Sequence, residues 1–160
     1  MDRITIFAAQ YLIYIIAITI LFYVLLRLPR GELKTFITLC GMGIVAAFIM
    51  VKVAGSIYYN PRPFVDGNFM PLFPHSSTNG FPSNHTVAAV LAALLLWRYS
   101  RNVAVGLFIA ACLVGLARVL ASVHHIEDII GGIVIATFAA LFANLVLHHI
   151  SNRKVSKTDN

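Results

Sequence analysis

Five apolar runs, separated by polar breaks, organise this chain: about residues 4–28, 33–54, 84–98, 102–121 and 127–150. At about 1.5 Å of rise per residue, roughly 20 helical residues cross the ~30 Å hydrocarbon layer of a bilayer. The pattern predicts an all-α integral membrane bundle of about five transmembrane helices. It forms one domain over 1–150, followed by a polar tail at 151–160 that is expected to fray. The first run extends from Ile4 to Leu26 without a small-residue cleavage site, so it is expected to be a retained membrane helix. The third run, Ser83 to Trp97, is short at about 22 Å of helix, which places its start below the outer membrane surface. Helix starts carry unpaired N–H groups that favour an anion such as phosphate.

The only long break, Gly55 to Pro82, contains five of the six prolines and reads as a structured, turn-rich loop. It also carries Phe64, Phe69, Met70, Leu72, Phe73 and Phe81, which either touch lipid headgroups or cover helix ends. Tyr58, Tyr59 and Trp97 fit an interfacial aromatic belt. Gly41-Met42-Gly43 and Gly131-Gly132 are expected to be close helix-packing points. They are not phosphate loops, because no strand or Lys-Ser/Thr accompanies them.

Composition agrees with a membrane protein. Of the 160 residues, 59% are hydrophobic and 11% charged, with a mean hydropathy of +0.85, against about 25% charged residues in soluble domains. The net charge of +6 does not point to nucleic acid, because its distribution follows the membrane segments. Arg27, Arg30 and Lys34, then Arg98 and Arg101, then Arg153, Lys154 and Lys157 sit in short clusters beside the runs. Placing these in the cytoplasm puts the N-terminus outside and the C-terminus inside. The breaks near 55–83 and 118–127 then face outward. Of the four remaining basic residues, Lys52, Arg62 and Arg118 lie beside those outer breaks, where topology gives them no reason to be; Arg3 is the fourth. Cys40 and Cys112 fall inside apolar runs and read as packing residues, and His148-His149 as an interfacial pair. No metal-ligand spacing appears, and no cofactor is expected.

Three polar clusters are expected at this outward face. They are Lys52 with Asn60-Pro61-Arg62-Pro63, then Phe81-Pro82-Ser83-Asn84-His85-Thr86, then Arg118, His124 and Asp128. The four-residue spacing of His124 and Asp128 is about one helical turn, so the carboxylate can hold the imidazole in one tautomer. Two histidines, fixed cations, a helix-start hydroxyl and a carboxylate suit phosphoryl transfer through a phosphohistidine. Each residue also has a structural reading: His85 as a capping residue, Arg118 as a snorkelling cation, Asp128 as a helix N-terminal charge. His125 competes with His124 as nucleophile, and Glu127 with Asp128 as its orienting partner. His75 reads as a solvated loop histidine, with substrate contact the other reading.

On these residues the chain resembles the PAP2 (type 2 phosphatidic acid phosphatase) superfamily. The Arg118, His124 and Asp128 spacing matches its third signature, with Ala117 where serine is usual. Pro82-Ser83-Asn84-His85 matches the second, with Asn84 in place of glycine. Arg62-Pro63 matches the end of the first, but the position seven before Arg62 is Gly55, and Lys52 lies about one turn too early. The resemblance implies His124 as nucleophile, Asp128 as orienting partner and His85 as general acid. It implies Arg62, Arg118, Ser83, Asn84 and Lys52 as phosphate ligands, with no metal. Pro61-Arg62-Pro63-Phe64, Pro74-His75-Ser76 and the compact size look most like the small bacterial undecaprenyl-diphosphate phosphatases of the BcrC type.

The expected activity is therefore metal-independent hydrolysis of a polyprenyl diphosphate at the extracytoplasmic face of the bacterial plasma membrane. Its partners are the lipid phosphate or diphosphate substrate and membrane lipids, not nucleic acid, and oligomeric state is left open. Rival readings are a phosphatase for phosphatidylglycerophosphate, phosphatidate or a lipid A phosphate, and a non-enzymatic lipid-phosphate binding or transport protein.

Overall fold

Helix follows helix along the chain, with no strand among the described residues: α1 (Asp2–Gln10), α2 (Leu12–Leu26), a 3-10 turn at Arg30–Glu32, α3 (Leu33–Ile57), α4 (Pro63–Asp66), α5 (Asn84–Leu96), α6 (Arg101–Leu120) and α7 (Ile126–Thr158). This computed structural model describes residues 2–158. Met1, Asp159 and Asn160 lie outside it, as do all side chains after position 152, among them Arg153, Lys154 and Lys157 of the tail cluster.

The chain is an integral membrane protein. Arg30–Ile57, α6 and the 126–152 part of α7 are each long and apolar enough to cross a bilayer. The pair α1 and α2 makes a fourth crossing if counted as one span, and α5, with 13 residues, is a short fifth. The five expected spans are thus present in outline. α2 is apolar on every face, as suits a helix surrounded by lipid. α5 sits at the centre, packed between α6 and α7 and touching α2 and α3. Its interior position follows from small residues: Ala89 and Ala93 are fully buried, as are Ala136, Ala139 and Ala143 of α7. Small side chains let helix backbones approach, and dispersion contacts then hold them together where lipid tails remove any hydrophobic driving force.

Chain alternation gathers the polar motifs at one end of the bundle. The end of α3, the 58–83 loop, the start of α5, the end of α6 and the start of α7 all meet there. At the other end, Tyr23 Oη donates to the Tyr99 carbonyl at 3.0 Å, tying the α2–α3 turn to the α5–α6 turn.

Three expectations need correction. The first run is not one straight helix, because α1 and α2 are bent by 46° around Tyr11. No proline or glycine marks the bend in Phe7-Ala-Ala-Gln-Tyr-Leu12. At the bend the carbonyl of Ala9, in the last turn of α1, accepts a hydrogen bond from Arg118 Nη1 at 3.2 Å. A side chain entering the backbone ladder is a recognised origin of helix kinks. Second, the last helix does not end with the apolar run at 150, since α7 continues to Thr158 with no proline or glycine after Gly132. Third, only half of the Gly41-Met42-Gly43 expectation holds. A Cβ on Gly43 would meet Leu95 at 3.0 Å, whereas Gly41 faces open space.

Candidate active site

The α6–α7 connection builds the centre. α6 stops at Ala121, Ser122 takes a left-handed φ of 57°, and the Val123 N–H returns to the Arg118 carbonyl at 3.2 Å. This tight reversal holds His124 beside the end of α6 and one turn before Asp128. His124 Nδ1 lies 3.1 Å from Asp128 Oδ2, with the two side chains 3% and 0% exposed. Asp128 is further held by the His125 N–H at 3.0 Å and by Asn60 Nδ2, which donates to Oδ1 at 2.9 Å. A carboxylate taking several hydrogen bonds stays ionised and fixed in orientation even when buried.

Two arginines converge on the other side of the ring. Arg62 Nη1 is 3.3 Å from His124 Nε2, and Arg118 Nη2 is 3.4 Å from the same atom. Guanidinium groups only donate. This suits the tautomer with the lone pair on Nε2 and the proton on Nδ1, where the N–H donates a hydrogen bond to Asp128. Burial is the largest influence on His124 and pushes it below the ordinary histidine value; the Asp128 hydrogen bond opposes this, and Arg118 and Arg62 reinforce it. The geometry thus presents a neutral imidazole with its lone pair turned towards two cations.

Arg62 is reached from the loop. Its guanidinium donates to the carbonyls of Val123 at 2.7 Å and Thr78 at 3.1 Å. Arg118 is almost fully buried at 2% exposure, stacks its guanidinium 5.8 Å from the Phe73 ring centroid, and leaves Nε without a protein partner. Buried donors are seldom left unpaired, so this N–H marks a place where an anion oxygen would be welcome.

The second motif arrives through α5. Ser83 is the N-cap residue and fully buried; its N–H donates to the Asp128 carbonyl at 3.0 Å. Its hydroxyl accepts from Thr86 Oγ1 at 3.1 Å, which leaves its own O–H free to donate. His85, half-buried in the first turn of α5, lies within electrostatic reach of Arg118, His124, His75 and Arg62. Asn84, exposed beside it, lines the head of an apolar cleft of about 410 Å³ between α2, α3 and α5. Lys52 is not brought to the cluster. It is exposed, with Nζ 5.6 Å from the ring centroid of Phe48.

Of the competing residues, His125 meets Asp128 through its backbone, its N–H donating to Oδ2 and its carbonyl accepting the Asp128 N–H at 3.2 Å, and Glu127 is exposed. The loop's apolar residues divide: Phe73 is buried against Ala117, Ala121 and Val123, and Phe81 packs edge-on against Tyr58 at 4.9 Å. Phe69, Met70 and Leu72 remain exposed. Sequence reasoning missed Asn79 and Gly80. Asn79 Oδ1 accepts from the Asn60 N–H at 2.9 Å and the Phe81 N–H at 3.0 Å, while its Nδ2 donates to the carbonyls of Gly55 and Tyr58. A Cβ on Gly80 would stand 2.8 Å from Asp128 Oδ2. Their signal was the Asn-Gly dipeptide, which marks a turn but not what the turn holds. Among the described residues no group of three or more metal-ligating side chains occurs.

A family model for the PAP2 superfamily matches residues 7–152. The chain belongs to that superfamily. PAP2 relatives include the protein named bacitracin transport permease protein BcrC of Bacillus licheniformis, 28% identical over 85% of this chain and 66% of the relative. Another is undecaprenyl-diphosphatase BcrC of Bacillus subtilis (strain 168), 25% identical over 85% of this chain and 69% of its own. The chain therefore spans about two thirds of the length of these curated relatives. Among solved PAP2 structures, Aquifex aeolicus LpxE superposes with a TM-score of 0.70 at 25% identity, covering 89% of this chain and 84% of that one. A PAP2-type phosphatidylglycerolphosphate phosphatase from Bacillus subtilis shares the fold, with a TM-score of 0.59 at 22% identity over 92% and 75% of the two chains. The family and the fold are thus those of membrane-embedded PAP2 proteins.

Proposed function

We propose that this PAP2 phosphatase removes the terminal phosphate of a polyprenyl diphosphate, of the undecaprenyl kind, through a phosphohistidine on His124. The observation that carries the reading is the placement of the His124 ring, with Nδ1 3.1 Å from Asp128 Oδ2 and Nε2 3.3 and 3.4 Å from the guanidinium groups of Arg62 and Arg118. Nε2 attacks phosphorus and the bond to the leaving oxygen breaks, with His85 delivering a proton to that oxygen. Arg62, Arg118, the Ser83 hydroxyl and the backbone at Asn84 stabilise the charge on the equatorial oxygens. Water then attacks the phosphohistidine while His85 takes its proton, and inorganic phosphate leaves. Lys52 supplies charge at the rim rather than a contact to phosphorus oxygens.

The lipid part of the reading is supported by the apolar cleft that begins at Asn84, and the diphosphate part by the undecaprenyl-diphosphatase relative. The distribution of basic clusters supports a site on the extracytoplasmic face. The permease name of the Bacillus licheniformis relative favours a second reading, binding or transport without turnover. A binder needs the cations but not a histidine orientated by a carboxylate.

Phosphate release in detergent with chelator present separates these readings, using undecaprenyl diphosphate, phosphatidate, phosphatidylglycerophosphate and lipid A as substrates. The diphosphate is expected to be turned over fastest. His124→Ala abolishes release, Glu127→Gln leaves it near the parent rate, and Lys52→Ala lowers kcat/KM by no more than about threefold. Turnover surviving in His124→Ala refutes the covalent route.

A further inference from the structure

We infer that His75, from the outer loop and outside all three motifs, is a positioning residue that sets the aim of Arg118. The inference builds on the phosphatase reading and deepens it. Arg118 Nη2 is 2.6 Å from His75 Nε2, the shortest contact that either guanidinium makes. Because the guanidinium can only donate, His75 Nε2 is an acceptor and its proton sits on Nδ1. Nδ1 faces the Ser76 carbonyl at 3.4 Å, which suits that tautomer.

The histidine is itself fixed on two sides. Its ring lies 6.2 Å from that of His124 in an edge-on arrangement and 6.0 Å from Phe73. Phe73 is buried and also carries the face of Arg118. The guanidinium is therefore held at three points: Nη1 by the Ala9 carbonyl, Nη2 by His75, its face by Phe73. What remains unpaired is Nε. Rotation about the last side-chain torsions is blocked, and Nη2 stays within reach of His124 Nε2. Arg62 reaches the same nitrogen but is held by backbone carbonyls of Thr78 and Val123, so it needs no such partner. His75 thus acts through Arg118 and does not itself touch phosphorus oxygens.

The test compares His75→Phe, which keeps a ring but removes the acceptor, with His75→Gln, whose amide oxygen can replace it. Lipid phosphatase kinetics and binding of orthovanadate, a phosphoryl-transfer mimic, are measured on the full chain in detergent. His75→Phe is expected to lower kcat roughly 10- to 100-fold with KM within about threefold, and to weaken vanadate binding by about tenfold. His75→Gln returns both to within about fivefold of the parent. Full kcat in His75→Phe overturns the inference, as does a Gln variant no better than Phe. A parent inactive on every lipid phosphate, yet binding vanadate in a His75-dependent way, would refute the phosphatase reading and keep this one. A parent that neither turns over lipid nor binds vanadate sinks both.

Discussion

A guanidinium offers five N–H groups and no acceptor, and this one-sidedness fixes the protons of both imidazoles beside Arg118. The consequence for His75 is measurable. Burial first, then the charges of Arg62 and Arg118, push its pKa down from 6.5 to about 4. Unfolded, the ring takes a proton near its ordinary value; folded, it resists until about pH 4. The stability that comes with the neutral ring is complete above pH 6.5 and drains away as pH falls from there towards 4. Thermal melting in detergent between pH 7 and 4.5 should show the parent losing stability more steeply than His75→Gln; parallel curves would contradict this. His124 and Asp128 were legible because their coupling is local, one helical turn along the chain. The Arg118–His75 contact joins residues 43 apart, and Asn79 works through four backbone groups, so no spacing rule could expose either.

At the scale of elements, α1 supports the candidate site as well as beginning the first membrane crossing. It packs on α6 through Ala9, only 1% exposed, beside Ala117 and Ala121. Replacing Ala9 by leucine leaves no room for the added atoms. Overpacking of this kind costs about 1–3 kcal/mol, and here it also lifts the Ala9 carbonyl from Arg118. Ala9→Leu is expected to lower both the melting temperature and kcat by at least about fivefold in the latter; an unchanged kcat in a destabilised protein would show that the carbonyl is dispensable. The apolar pattern gave one helix over 4–28 and not its division into α1 and α2, because hydropathy reports lipid compatibility and is blind to a contact such as that of Arg118 with Ala9. α5 was more readable. Its shortness and its start after Pro82-Ser83 were readable, and Gly131 and Gly132 were expected as close packing points; the structure sets them against Phe81, Ser83 and Thr86.

For the molecule as a whole, five segments joined in alternation put every catalytic candidate at one end and the Arg27–Lys34 and Arg98–Arg101 turns at the other. The basic turns are the ground on which an outward-facing site is proposed. Single cysteines at Met70, 90% exposed in the loop, and at Arg30 should react with a membrane-impermeant maleimide from opposite sides. In intact bacterial cells Met70→Cys is labelled and Arg30→Cys only after lysis; the reverse pattern would place the site in the cytoplasm. The bundle and its polar end were legible because the bilayer imposes helices of known length. The loop fold was not, since its course depends on Asn60 and Asn79 hydrogen bonds that hydropathy does not register. The hold on Arg118 also links positions 109 residues apart through a peptide oxygen. Every residue type carries that oxygen, so evolution can rewrite the first helix almost freely while the grip persists. A comparison of side chains would record only a small residue at position 9 and miss that α1 is fastened to the arginine beside His124.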